Sequence, residues 1–168
     1  MAGLSGSGKS TTAQQLAKQA GAIRLRSDAV RKHLAGVPLY EKAGDEMYTA
    51  AMTDRTYTRL IELGAQLASQ GYRVILDAKF DRQAKRQEAV RIAQSRAIPI
   101  AFLHCTAPAE VLKARVMARS GDIADANTAI LKKQSMEPFS VDMMVETVDT
   151  TRSVDDIQSI LNIVFQAS

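Results

Sequence analysis

Residues 3–10 carry a short glycine-rich motif that strongly constrains the fold of this chain. They read Gly-Leu-Ser-Gly-Ser-Gly-Lys-Ser and match G-x-x-x-x-G-K-[ST] at every fixed position. In such a motif the backbone N–H groups curl around phosphates, the lysine reaches the outer phosphates and the hydroxyl binds Mg²⁺. The residues that follow place apolar side chains at helical spacing, namely Ala13, Leu16, Ala17 and Ala20. This loop-then-helix pattern predicts a nucleotide-binding site.

The expected ligands are therefore ATP and Mg²⁺. The loop and the first turn of the helix supply the predicted nucleotide-binding residues, which are Gly3, Ser5, Gly6, Ser7, Gly8, Lys9, Ser10 and Thr11. The N-terminal dipole of the helix adds to the attraction for phosphate. Lys9 is also a predicted catalytic residue, and Ser10 is a predicted metal ligand.

The motif begins only two residues into the chain. Such a loop normally follows a buried apolar strand, but only Met1 and Ala2 precede Gly3 here. We expect Met1 and Ala2 to be the end of that strand. On this interpretation the chain is a piece of a longer polypeptide, with its first strand truncated.

Composition indicates one globular domain over residues 1–168. No apolar run is long enough to cross a membrane, and no signal segment opens the chain. The single cysteine, Cys105, excludes an internal disulfide, which together with the use of ATP favours the cytoplasm. The net charge of +4 favours anionic ligands. Because the basic residues are scattered, we expect a solvated surface and no nucleic-acid partner.

Short apolar strands alternate with amphipathic helices, which predicts an α/β fold with a parallel sheet in a three-layer sandwich. We expect strands at residues 22–26, 73–77, 98–105 and 145–149. Helices are expected from Thr11, from Ala29, over 57–68 and 82–96, after Pro108, near 129–134, and after a capping box formed by Ser153 and Asp156.

Charged residues follow the predicted strands, where ligands of parallel sheets bind. Asp28 suits the acceptor hydroxyl, as general base or hydrogen-bond acceptor, and Arg31 suits an anionic group of the acceptor. Asp77 suits the Mg²⁺ shell, through water. Arg115 and Arg119 lie on one helical face and would neutralise charge that develops during transfer.

Each of these roles has a structural alternative. Ser27 or Asp28 would cap a helix that starts at Ala29, and Arg115 and Arg119 would form a solvated helix face. His33 and His104 have no partners at metal-ligand spacing.

The quoted residues resemble the P-loop kinases of small substrates, over essentially the whole chain. The loop is similar to that of adenylylsulfate kinases, and Asp28-x-x-Arg31 is shared with polynucleotide 5′-hydroxyl kinases. The sequence most resembles bacterial AAA-like kinases often fused to an aminoglycoside-phosphotransferase-like domain. The segments that carry this likeness are Leu25-Arg26-Ser27-Asp28, Val74-Ile75-Leu76-Asp77-Ala78, Leu103-His104-Cys105, the paired arginines, and Gln134 with Glu137-Pro138.

The resemblance implies a five-stranded parallel core in the order 2-3-1-4-5, counting the strand before Gly3 as the first. It also implies an arginine-bearing lid around residues 115–137, and Mg²⁺-assisted transfer of the terminal phosphate of ATP to a hydroxyl of a small molecule. A fused phosphotransferase-like domain is a further expected partner. Lys79 stands where the group has a small hydroxyl residue.

Two other functions remain open from the sequence. The first is a nucleotide-dependent regulatory module that serves a fused domain. The second is a polynucleotide 5′-hydroxyl kinase, although the chain has no stripe of aromatic and basic residues for stacking bases. A kinase that acts on a cell-wall sugar nucleotide is also compatible with this scaffold.

Overall fold

Four short parallel strands alternate with helices in the structure, which is a computed structural model describing residues 1–41, 44–119 and 134–151. The elements are α1 (Lys9–Ala20), β1 (Ile23–Arg26), α2 (Ser27–Leu34), a 3₁₀ turn (Asp45–Tyr48), α3 (Ala50–Ser69), β2 (Val74–Asp77), α4 (Gln83–Ser95), β3 (Phe102–Thr106), α5 (Ala109–Arg119) and β4 (Val145–Asp149). The predicted α/β fold with parallel strands is confirmed. The predicted helix near 129–134, most of the predicted lid and the predicted C-terminal helix lie outside the described residues.

The described strands form two parallel pairs. β1 pairs with β2 from Ile23↔Val74 to Arg26↔Asp77. β3 pairs with β4 from Phe102↔Val145 onward. The helices that follow β1, β2 and β3 begin beyond the carboxyl ends of those strands, and Asp77 lies at the carboxyl end of β2.

The first three residues lie between the two strand pairs. Ala2 forms an isolated parallel bridge with His104 of β3. The backbone hydrogen bonds of this segment are Met1 N to Leu76 O (2.9 Å), Gly3 N to Lys79 O (3.0 Å), Ala2 N to Leu103 O (2.7 Å) and Cys105 N to Ala2 O (2.9 Å). The loop that starts at Gly3 is therefore tied to both β2 and β3.

Two apolar clusters cover the strands. One contains Leu16 of α1 with Ile75 and Leu103. The other contains Leu60 of α3 and the aromatic pair Phe80 and Phe102, whose ring centroids lie 5.9 Å apart. Burial of these faces fixes α1 and α3 against the strands, and the helix faces follow the predicted apolar spacing.

Several boundaries differ from the sequence predictions. α2 begins at Ser27, and neither Ser27 nor Asp28 caps it, because the N-cap residue is Arg26 and no side chain bonds there. The helix-cap alternative for these two residues is therefore wrong. β3 begins at Phe102 and not at residue 98, since the apolar residues before it line a cavity instead.

That cavity has a volume of about 450 Å³ and lies between α3, α4 and the starts of β2 and β3. Its walls are mainly apolar, with Leu76, Ile92 and Ile100 among them. No predicted site residue lines it. Among the described residues, no helix is long and apolar enough to span a membrane.

Candidate active site

The glycine-rich loop closes tightly because its glycines adopt backbone angles that other residues avoid. Gly6 and Gly8 have φ of 83° and 80°, in the left-handed region. Gly8 is the N-cap of α1, so the helix begins at Lys9 directly after the loop. This geometry places successive backbone N–H groups at the positive end of a helix, where phosphate is favoured.

The outer side of the loop packs against α5 and β4. A Cβ on Gly6 would lie 2.5 Å from the carbonyl oxygen of Leu112, and one on Gly8 would lie 2.9 Å from the Thr150 side chain. Thr150 Oγ1 is 3.0 Å from the Ser7 carbonyl oxygen. Glycine is therefore required at both positions by close packing as well as by φ.

Lys9 folds back along the loop. Its ammonium donates a hydrogen bond to the carbonyl oxygen of Leu4 at 2.8 Å. The ammonium is thus held at the first half of the loop, beside the space that the curled backbone encloses. The predicted contact of Lys9 with the outer phosphates of a nucleotide stays a prediction.

Ser10 and Asp77 come together beside the loop, as the sequence predicts for a metal site. The Ser10 hydroxyl donates to Asp77 Oδ1 at 3.4 Å. The other carboxylate oxygen accepts from Arg24 of β1, whose Nε lies 3.1 Å away. The Asp77 side chain is only 4% exposed and that of Arg24 is 18% exposed, so this ion pair is largely buried.

The oxygens of Ser10 and Asp77 are of the hard type that Mg²⁺ prefers, so these two residues fit the metal. Among the described residues, no group of three or more His, Cys, Asp or Glu side chains could hold a metal ion. Ser10 and Asp77 offer one hydroxyl and one carboxylate, and their binding of Mg²⁺ stays a prediction.

Asp28 lies in the first turn of α2, at the carboxyl end of β1. Its side chain is 43% exposed, and Arg26 Nη2 lies 3.7 Å from its carboxylate. Since Asp28 does not cap the helix, its carboxylate is not committed to the backbone there. Its predicted contact with an acceptor hydroxyl stays a prediction.

Arg31 is buried and held by its surroundings. Its Nη1 donates to the Met47 carbonyl oxygen at 2.9 Å and to Thr53 Oγ1 at 3.3 Å. The guanidinium also lies over the Tyr48 ring, 5.0 Å from its centroid. Arg31 thus ties α2 to the 3₁₀ turn and to α3, and its predicted contact with the acceptor stays a prediction.

Arg115 reaches the loop from α5. Its Nη1 donates to Thr150 Oγ1 at 2.8 Å and approaches the Gly6 carbonyl oxygen at 3.4 Å. Its Nη2 donates to the Thr150 carbonyl oxygen at 2.9 Å. The contacts place Arg115 behind the loop. Arg119 is the last residue of α5, and its side chain lies outside the described part of the structure.

Sequence reasoning assigned no role to Gln134 and missed Arg86. Gln134 Oε1 accepts a hydrogen bond from the Ser5 N–H of the loop at 2.9 Å. Arg86 is completely buried on the face of α4 that also carries Ala89 and Ala93. An arginine at an apolar position of a helix face was the available signal, and Gln134 was visible only as a residue shared with the resembling kinases.

Solved structures share this fold. The Mycobacterium tuberculosis APS kinase, in complex with AMPPNP and APS, superposes with a TM-score of 0.73 and 24% identity, over 96% of this chain and 93% of that one. A gluconokinase from Sinorhizobium meliloti superposes with a TM-score of 0.63 and 22% identity, over 99% and 95% of the two chains. At this identity the likeness establishes the fold.

The chain is also similar to uncharacterized proteins of Mycobacterium bovis and Mycobacterium tuberculosis, with 30% identity over 131 residues. The match covers 74% of this chain but only 26% of each relative, so the chain spans about a quarter of their length. A family model described as an AAA domain matches residues 1–138, which include the loop and α1 to α5. This match covers most of the sequence, and the chain therefore belongs to the AAA domain family.

Proposed function

We propose that the protein is an ATP-dependent phosphotransferase that moves the terminal phosphate of ATP to a hydroxyl of a small molecule. The observation that carries this proposal is the contact between Ser10 and Asp77 beside the loop. This contact supports a metal held against the phosphates, which phosphoryl transfer requires together with an oriented acceptor. The fold shared with an APS kinase and a gluconokinase agrees with it.

The loop binds and orients the nucleotide. Backbone N–H groups from Gly6 to Ser10 cradle the phosphates, and the positive end of α1 strengthens that contact. Lys9 leaves the Leu4 carbonyl and contacts the outer phosphates, where its ammonium offsets the charge that develops during transfer.

Ser10 and Asp77 would hold Mg²⁺, Asp77 through a bound water because its carboxylate is also paired with Arg24. When bound there, Mg²⁺ would supply positive charge that offsets the charge of the phosphates. The buried pair fixes the direction in which the carboxylate points. Asp77 therefore presents one oxygen to the phosphate side of the site.

On the acceptor side, Asp28 accepts a hydrogen bond from the reacting hydroxyl or takes its proton. Arg31 contributes by fixing the segment around Met47, and by binding an anionic group of the acceptor where one is present. Arg115 adds positive charge from behind the loop, beside Gly6 and Thr150, and Arg119 adds it from the proposed lid around residues 115–137. Nucleic acid is not the expected acceptor.

The proposal includes the strand order 2-3-1-4-5 within a three-layer sandwich. The two observed pairs, β1 with β2 and β3 with β4, are compatible with it. The hydrogen bonds from Met1 and Gly3 to one pair and from Ala2 to the other support a first strand between them. The use of ATP also agrees with a cytoplasmic location.

The test is ADP release from ATP and Mg²⁺ in the presence of a library of hydroxyl-bearing metabolites. A true acceptor should accelerate ADP release strongly and gain phosphate, which mass spectrometry of the acceptor detects. The Lys9→Ala variant should be inactive with every acceptor while it keeps the wild-type thermal unfolding profile. Slow hydrolysis with no acceleration by any compound would count against the proposal.

A nucleotide-binding regulatory module is the second candidate. The observation that favours it is the length of the mycobacterial relatives, of which this chain spans only 26%. It predicts tight ATP binding with little turnover, and a response to nucleotide only in a longer protein that also contains a fused domain. Acceptor-dependent phosphorylation by the isolated chain separates the two candidates.

A further inference from the structure

The side-chain amide of Gln134 has one end on the loop and one end without a partner. Its Oε1 accepts from the Ser5 N–H at 2.9 Å, and since that donor requires an acceptor, the orientation of the amide is fixed. Its Nε2 is buried, and no hydrogen-bond partner for it exists among the described residues. A buried amide N–H without a partner is costly, so this atom marks a position where an acceptor from a ligand fits.

The segment that follows Gln134 is anchored by hydrogen bonds, and it places Gln134 beside the loop. Arg86 Nη2 donates to the carbonyl oxygens of Glu137 and Pro138, at 2.8 Å and 2.5 Å. Its Nη1 donates to the Phe80 carbonyl oxygen at 2.7 Å. The guanidinium also lies 4.2 Å from the Phe139 ring centroid. A buried arginine thus fastens the segment after Gln134 to the start of α4.

Glu137 fastens the same segment a second time. Its carboxylate accepts from the Gln83 N–H at 2.6 Å and from Arg82 Nη1 at 2.9 Å. These donors hold the pKa of Glu137 below its ordinary value. The Glu137 N–H donates to the Asp81 carbonyl oxygen at 2.9 Å. Gln134 therefore contacts the loop from a position that is only three residues before the anchored Glu137.

The location of Gln134 indicates which phosphate it meets. Two hydrogen bonds involve the peptide group between Leu4 and Ser5. The Leu4 carbonyl oxygen accepts one from the Lys9 ammonium, and the Ser5 N–H donates one to Gln134 Oε1. Because the lysine of such a loop reaches the outer phosphates, this peptide borders the space for the terminal phosphate. Lys9 and Gln134 lie at opposite edges of this peptide group.

Resting on the proposed use of ATP, we propose that Gln134 is a nucleotide-binding residue that contacts the terminal phosphate. Its Oε1 stays on the Ser5 N–H, and its Nε2 donates to a terminal phosphate oxygen. Gln134 thereby distinguishes a nucleoside triphosphate from a diphosphate. A hydrogen bond to a charged group of this kind is worth roughly tenfold or more in affinity.

The experiment compares the affinities of a non-hydrolysable ATP analogue and of ADP, both with Mg²⁺, by calorimetry and without acceptor. Gln134→Glu keeps the acceptor for Ser5, removes the donor and adds a negative charge, whereas Gln134→Met removes both polar groups and adds no charge. We expect Gln134→Met, which isolates the lost hydrogen bond, to bind the analogue about tenfold more weakly and ADP less than threefold more weakly. Gln134→Glu should weaken the analogue further, because its charge repels the terminal phosphate. Ser140→Ala removes the bond from Gln83 Nε2 in the same segment and should change neither affinity.

Equal weakening of both ligands, or no weakening, would overturn the proposal and leave Gln134 as an anchor of the loop alone. Thermal unfolding of both variants checks that they are folded, and Gln134→Glu preserves the contact with Ser5. Failure of the proposed phosphotransferase function would give a different result, because it would show in the wild-type protein. The wild-type protein would then bind nucleotide without transferring phosphate, or would bind no nucleotide.

Discussion

The Ser10 hydroxyl donates to Asp77 Oδ1 across 3.4 Å, although 67 residues separate the two positions. The contact joins the start of α1 to the carboxyl end of β2. Arg24 holds the second oxygen of the same carboxylate. Asp77 therefore serves two neighbours at once: an arginine that balances its charge in a buried place, and the loop that we propose binds the nucleotide.

Substitution of Asp77 should separate these two roles. Asp77→Asn leaves Arg24 largely buried without an opposite charge, which should lower the free energy of unfolding by about 1–3 kcal/mol. The double variant Arg24→Met/Asp77→Asn should recover most of that loss, because it removes the unpaired charge. Urea denaturation of the three proteins measures both effects.

The same variants test the metal site. Both should lose the extra thermal stabilisation that Mg²⁺ gives in the presence of ATP, since each lacks the carboxylate. A double variant that regains stability and also responds fully to Mg²⁺ would remove Asp77 from the metal site.

The contact between Ser10 and Asp77 is predictable from sequence, because a loop serine and a carboxylate at a neighbouring strand end meet at one edge of a parallel sheet. The partner of the second oxygen is not predictable. Arg24 sits in the middle of an apolar-looking strand, and the pairing of β1 with β2 alone brings it beside Asp77. The alternation of strands and helices was likewise predictable from the apolar pattern.

Boundaries and distant contacts escaped the sequence for physical reasons. An apolar run from Ile98 reads as strand, but part of it lines a cavity, and pattern alone does not separate these uses. Gln134 and Thr150 touch the loop from the end of the described chain. Nothing local in their neighbourhood indicates a partner more than a hundred residues away, so only the fold reveals it.

Asp28→Asn should lower phosphate transfer far more than it weakens ATP binding. The asparagine keeps the size and a hydrogen-bond acceptor but cannot take the hydroxyl proton, so kcat should fall by about two orders of magnitude or more. Since Asp28 does not cap α2, stability should change little. Steady-state kinetics and calorimetry give the two quantities, and equal losses in transfer and ATP binding would contradict an acceptor-side role.

Two glycine substitutions should have opposite effects. Gly6→Ala places a methyl group 2.5 Å from the Leu112 carbonyl at a φ of 83°, so it should cost about 2–4 kcal/mol and abolish nucleotide binding. Gly64→Ala in α3 meets only the end of the Leu76 side chain, at 2.6 Å, beside the cavity into which that side chain can turn. Because alanine favours helix over glycine, it should stabilise by up to about 1 kcal/mol.

Urea denaturation and nucleotide titration of both variants check this prediction. Gly64→Ala should keep wild-type nucleotide affinity, because Gly64 lies beside the cavity, which no predicted site residue lines. If Gly64→Ala instead destabilised the protein by several kcal/mol, Leu76 would be fixed in place and the cavity would not be available to it.

Acid should destabilise the protein through His104. Burial, with a smaller contribution from the Arg86 charge, lowers the pKa of His104 below its ordinary value of about 6.5. Its ring also packs on Phe139, with 5.1 Å between centroids. Below pH 6.5 His104 is therefore protonated in the unfolded chain but still neutral in the folded protein. The free energy of unfolding falls as the pH is lowered, until the pH reaches the pKa of His104 in the folded state. Above about pH 7.5 the residue is neutral in both states and contributes no slope. Carboxylates such as Glu137, whose pKa is lowered, affect stability only at more acidic pH.

The difference in unfolding free energy between the wild type and His104→Gln, measured from pH 8 to pH 5, isolates the contribution of this histidine. The difference should change only below about pH 7.5, and a wild-type protein that gains stability relative to the variant on acidification would reverse the assignment.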